Sequence, residues 1–149
     1  MDLAVRMGIV ASGVFLVLGM LTGVIKYLQM RQSENARAHY YTDIAHRASL
    51  MYAGSTLILS VMAYFSAWSD FVNLLCIVGN IIFFALAIFS YLIHGLLKDT
   101  NNQFKQPHQI SKWHLPASLM TLFMMALIIV ELGCTLVLLM GTTKTLLLS

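Results

Sequence analysis

Residues 71–97 read FVNLLCIVGNIIFFALAIFSYLIHGLL, an apolar run without a single Asp, Glu, Lys or Arg. A helix needs about 20 such residues to cross the hydrocarbon core, and a backbone in lipid must satisfy its own hydrogen bonds. A transmembrane helix is therefore predicted from about Phe71 to Leu97. Three further runs meet the same test, at about Met7 to Leu28, Ala45 to Ala67 and Leu115 to Met140. The chain is 59% hydrophobic and 10% charged, whereas roughly a quarter of a soluble domain is charged. Nothing sizeable remains outside the membrane. The expected fold is all-α, a single membrane-embedded four-transmembrane-helix bundle over residues 1–149 with the lipid bilayer as a partner. The first run is too long for a signal peptide's apolar core, and no small-x-small site follows it before Lys26, so it is read as a retained helix.

Gly19-Met20-Leu21-Thr22-Gly23 is a G-x-x-x-G, and Gly8 with Ser12 repeats the small-residue spacing, which predicts close approach of another helix to this face. Cys76 and Cys134 lie inside apolar runs and outside any C-x-x-C pattern, which suggests neither a disulfide framework nor a thiolate metal site. The ten methionines are read as core filling.

Positive charge sets the expected orientation, because loops rich in Lys and Arg are retained in the cytoplasm. Lys26, Arg31, Arg37 and Arg47 flank the first loop and Lys98, Lys105 and Lys112 lie in the third, against Arg6 and Lys144 on the other side. Loops one and three are thus expected to be cytoplasmic and the termini periplasmic, with Trp68-Ser69-Asp70 a tight outer hairpin. Insertion and anionic headgroups account for these cations, so no nucleic-acid partner is expected.

All five histidines fall at the cytoplasmic end: His39 and His46 where the chain enters the second helix, His94 at the exit of the third, and His108 and His114 around the third loop. An early start of the second helix would place His39, Asp43 and His46 at i, i+4 and i+7 on one face, with Arg47 continuing the stripe. Interfacial contact with headgroups explains any one of these rings. Five from three segments point to a cofactor site, since imidazole is the commonest metal ligand and titrates near neutrality. Deeper in the membrane, Asn80 and Glu131 reach a similar depth, and a carboxyl there should face the bundle interior, where Asn80 can bond it. Tyr91 shares a face with Asn80, and His94 lies one turn further on.

The spacing excludes a di-iron hydroxylase, which needs H-x-x-x-H or H-x-x-H-H boxes, and a zinc protease, which needs H-E-x-x-H. Haem needs one or two axial histidines, an apolar slot and cations for its propionates, all available beside His39, Arg37 and Arg47.

The run Asn35-Ala36-Arg37-Ala38-His39, after Leu21-Thr22-Gly23 in a Gly-rich first helix and before a long apolar helix, resembles the small four-helix family of styrene oxide isomerase and hydroxylaminobenzene mutase. The likeness spans most of the chain by helix order. It implies an isomerase, a homotrimer in the bacterial inner membrane, and haem b bound at a subunit interface by His39 as iron ligand. Ferric iron would then serve as a Lewis acid on a small apolar, aromatic epoxide to give an aldehyde. Tyr91, in Phe89-Ser90-Tyr91-Leu92, resembles a third-helix tyrosine that orients the substrate. The candidate site thus comprises Tyr91 and His46 as catalytic side chains, His39, Arg37 and Arg47 around the haem, and Asn80, Glu131 and His94 as further polar groups in the membrane. Where the isomerase has an asparagine six residues after its ligand, this chain has Ala45, followed by His46, and its third loop lacks the isomerase's glycines. His46 or His94 as a second axial ligand would favour electron transfer, so a b-type haem carrier is the alternative, and a cofactor-free assembly or transport subunit the third class.

Overall fold

The computed structural model describes residues 1–105, 108–110 and 113–148. Helix α1 (Leu3–Gln32), α2 (Tyr40–Phe65), α3 (Asp70–Leu97) and α4 (Ala117–Leu147) follow in order, with a short antiparallel hairpin of β1 (His108–Ile110) and β2 (Trp113–Leu115) before α4. All four helices are long and apolar enough to cross a membrane. The chain is an integral membrane protein with an all-α four-helix architecture.

The helices mostly run beyond the apolar limits expected from sequence. At about 1.5 Å per residue, the 30 residues of α1 measure about 45 Å, against about 30 Å of hydrocarbon. Its ends therefore continue through the headgroup layers, where polar residues tolerate the helical backbone. Likewise α4 begins at Ala117 instead of Leu115 and continues past Met140 to Leu147. Helix α2 starts at Tyr40, well before Ala45, because His39 caps it: the ring Nδ1 accepts a hydrogen bond from the Tyr41 N–H at 3.4 Å, and Asp43 complements the dipole of the first turn. It ends at Phe65, two residues before Ala67.

The least apolar span, α2, has a mean hydropathy of 1.4, against 2.3 to 2.6 for the others. Its buried face explains why. Thr42, Ala45, Ser49, Ala53, Thr56, Ser60 and Ala63 recur every three or four residues, making one stripe of small side chains. The hydroxyls of Ser49, Thr56 and Ser60 bond back to Ala45, Tyr52 and Thr56 carbonyls at 2.7–2.8 Å, so the polar stripe carries its own partners into the interior.

Helix α1 packs on α2 along the small residues the sequence singled out. A methyl at Gly19 would lie 2.5 Å from Leu50 Cδ2, and one at Gly23 2.9 Å from His46 Cε1, so only glycine permits this separation. Ser12 Oγ donates to the Ala53 carbonyl at 2.8 Å on the same seam. Beyond it, Phe84 of α3 meets Phe15 edge-on and stacks on Tyr52 with ring centroids 4.2 Å apart, which ties three helices together. Helix α4 is held at one end: Trp68 Nε1–H donates to the Val137 carbonyl at 2.7 Å, and the Ala67 N–H to the Gly141 carbonyl at 3.1 Å.

Candidate functional site

The polar end of the bundle is organised around Tyr41, a buried side chain in the first turn of α2. Its ring stacks on Tyr91 of α3 with centroids 6.0 Å apart and an interplanar angle of 13°. It also lies 5.4 Å from the His94 ring and 6.3 Å from the His39 ring. The Tyr41 hydroxyl accepts a hydrogen bond from the Gln103 N–H at 2.6 Å, which fixes the third loop against α2. The structure thus brings together His39, Tyr91 and His94, three of the residues picked from sequence, through a fourth that was not.

On one side of Tyr41 lies a polar recess of about 340 Å³, lined by Gln29, Arg37, His39 and Lys98 among others. Gln29 braces it, its Oε1 accepting from the His39 N–H at 2.9 Å and its Nε2 donating to the Gly95 carbonyl at 3.2 Å. Lys98 reaches this position by ending α3 in the left-handed conformation, φ 53°, with its N–H on the His94 carbonyl. Partial burial, and after it the Lys98 ammonium, push the His39 imidazole below its ordinary pKa, which keeps the ring neutral at pH 7. The Asn101 side chain also hydrogen-bonds this ring.

On the other side lies an apolar pocket of about 370 Å³ between α3, the third loop and α4, walled by residues such as Phe89, Ile93, Met120 and Phe123. His94 and His108 are both buried and both line it. His94 Nδ1 lies 2.8 Å from Asp99 Oδ1, and His108 Nδ1 lies 3.0 Å from the Gln103 carbonyl. A carboxylate and a carbonyl only accept, so in each ring Nδ1 carries the proton and the neutral tautomer leaves its lone pair on Nε2. That is the arrangement of a metal-ligating or proton-accepting histidine. Ser90 Oγ donates to Gln103 Oε1 at 3.1 Å in the same wall.

The expected stripe of His39, Asp43, His46 and Arg47 is divided between two tasks. Asp43 pairs with Lys26 of α1 at 2.6 Å and with Arg47 at 2.9 Å. His46 Nδ1 bonds the Gly19 carbonyl at 2.8 Å and its ring rests on Gly23, so it fastens α1 to α2. The second cation beside His39 is thus Lys98, with Arg47 turned to Asp43. Not all five histidines gather: His39, His94 and His108 surround the Tyr41 cluster, His46 lies between α1 and α2, and Lys112 and the His114 side chain lie outside the described residues.

Asn80 and Glu131 line the same cavity without bonding each other. Asn80 Nδ2 donates to the Cys76 carbonyl at 2.9 Å, and Asn80 Oδ1 and Glu131 Oε1 are buried with no hydrogen-bond partner. The cavity they line, of about 480 Å³, lies between α2, α3 and α4.

Tyr41, Asp99 and Gln103 have no site role in the sequence reading, and Lys98 figures there only as a loop cation. The approach of Asp99 to His94 has a faint sequence signal, an acidic residue just beyond the exit of a span that ends in histidine. Tyr41 has none, because an aromatic residue at a membrane boundary reads as an interface anchor. Among the described residues, no group of three or more His, Cys, Asp or Glu side chains is arranged to hold a bare metal ion. No family model, no curated protein and no solved structure matches the chain.

Proposed function

We propose that the protein is a haem b-binding membrane enzyme of isomerase type, acting on a small apolar, aromatic epoxide or related substrate that arrives through the bilayer. The reading places it as a homo-oligomer, a trimer by family resemblance, in a bacterial inner membrane with loops one and three cytoplasmic. The observation that carries it is the His39 recess, where an imidazole kept neutral stands between the cations Arg37 and Lys98.

The residues fit the group in charge and protonation. Because the recess itself is polar, the apolar wall that haem needs would come from a neighbouring subunit, as the family resemblance implies. Iron takes a neutral imidazole, and the guanidinium and ammonium match two propionates. The ring must release its long 3.4 Å contact with the Tyr41 N–H, a capping bond worth about 1 kcal/mol. When bound, haem supplies a Lewis acid for the substrate oxygen without net redox change. The chain's own part is positioning: Tyr91 is held by its stack on Tyr41, which the Gln103 amide fixes in turn.

A second reading, a non-catalytic b-type haem protein, is favoured by one observation: His94 and His108 line a single apolar pocket with Nδ1 engaged in both. An absorption spectrum separates the two. Loss of the Soret band and of epoxide isomerisation in His39→Ala, with both retained in His94→Ala, supports the enzyme. A six-coordinate low-spin haem that survives His39→Ala but not His94→Ala or His108→Ala supports the carrier. Purified protein without stoichiometric iron after haem-replete expression overturns both.

A further inference from the structure

The cavity between α2, α3 and α4 has no part in the histidine cluster, and its polar lining consists of Asn80, Glu131 and the hydroxyl residues Ser55 and Thr135. Asn80 is 0% exposed, and its Nδ2 is committed to the Cys76 carbonyl. A flipped amide would set oxygen against oxygen, so the free atom is the acceptor, Oδ1. On the same cavity, Glu131 Oε1 is a second buried oxygen without a partner. Buried polar atoms are paired in more than about nine cases in ten, so two orphans on one cavity indicate a missing partner. The amide oxygen accepts only, and Glu131 as a carboxylate accepts only, so together they call for a donor.

We propose that this cavity binds a small lipid-soluble primary amine, its N–H groups donated to Asn80 Oδ1 and Glu131 and its apolar body against Phe84, Leu59 and Ile58. A primary amine offers a separate hydrogen to each oxygen, and as an ammonium it neutralises the carboxylate, removing the penalty of a lone charge in hydrocarbon. The volume, about 480 Å³, falls in the usual range of about 300–1,000 Å³ for small-molecule pockets. Apart from Ser55 and Thr135 the rest of the wall is apolar, so an apolar body is required as well. The rim residues Ile58, Ile128 and Leu132 are 62%, 48% and 58% exposed on the membrane-facing surface, which opens the cavity to the bilayer instead of to water.

The test uses full-length protein in phosphatidylcholine nanodiscs and fluorine NMR with three probes of one shape: 4-fluorobenzylamine, 4-fluorobenzyl alcohol and 4-fluorotoluene. Wild-type protein should bind the amine about tenfold more tightly than the toluene, as one charge-assisted hydrogen bond provides, with the alcohol between. Glu131→Gln and Asn80→Leu should each erase most of that preference while leaving toluene binding unchanged. Equal affinity for the three probes in the wild type, as in a cavity that holds only water, overturns the proposal. So does an amine preference that persists in both variants. The wild-type comparison decides even if a variant fails to fold, and none of these readings depends on haem.

Discussion

His94 Nδ1 and Asp99 Oδ1 stand 2.8 Å apart, closing the end of α3 onto the first residues beyond its Lys98 cap. Asp99 holds one tautomer of a buried ring that lines an apolar pocket. Asp99→Asn keeps an acceptor oxygen and should be mild. Asp99→Ala leaves the buried N–H without this acceptor and should lower stability by about 1–3 kcal/mol. Thermal unfolding in detergent measures both, and equal midpoints for the two variants would contradict the assigned proton.

The approach of α3 to α2 depends on Gly95. A methyl there would lie 2.7 Å from the Thr42 backbone N and 3.0 Å from its Cα, while the Gly95 carbonyl accepts from the Thr42 hydroxyl at 3.1 Å. Backbone cannot yield as a side-chain tip does, so Gly95→Ala should destabilise by about 1–3 kcal/mol. Gly13→Ala, with nothing within 4 Å, should be neutral or stabilising by up to about 1 kcal/mol. The pair of melting curves is the check.

His39 should make stability depend on pH. Its folded pKa lies below the ordinary 6.5, through partial burial and then Lys98, so below that value the unfolded chain takes up a proton that the folded ring resists. The stability is fully present above pH 6.5 and is lost as pH falls through the lower folded value. Between pH about 7.5 and about 5.5, haem-free wild-type protein should lose more thermal stability than His39→Gln. Parallel loss in the two proteins would remove His39 as the source.

Trp68 is the clasp of α4. In Trp68→Phe the 2.7 Å bond to the Val137 carbonyl disappears, and a loss of about 1 kcal/mol is expected. Hydrogen exchange should rise in α4 before the other helices. A uniform rise across the four would show that the clasp is not local.

The four spans were legible because a crossing helix demands a length of apolar sequence that little else produces, and the Phe71–Leu97 run met it without a charge. Their ends were less legible, since helical hydrogen bonds persist into the interface and a histidine cap at position 39 has no hydropathy signature. Gly19 and Gly23 were readable as a packing face, because the absence of a side chain has one steric meaning there. What they pack against was not: His46 carries the same imidazole as His94, and only the fold assigns it to the Gly19 carbonyl. Depth placed Asn80 and Glu131 together, but the cavity they line depends on side chains from three helices.

Among the described residues of α4, only Leu138 and Gly141 are buried, both near the Trp68 end. Along its earlier turns the helix borders two voids, the Asn80–Glu131 cavity and the His94–His108 pocket. Packing resists displacement in proportion to the contacts that must be broken, so the compliance of this helix is uneven, stiff at the clasp and soft at its amino-terminal half. Thermal breathing of the bundle should therefore fall mostly on the amino-terminal half of α4, where any parting from α3 would open towards the acyl chains.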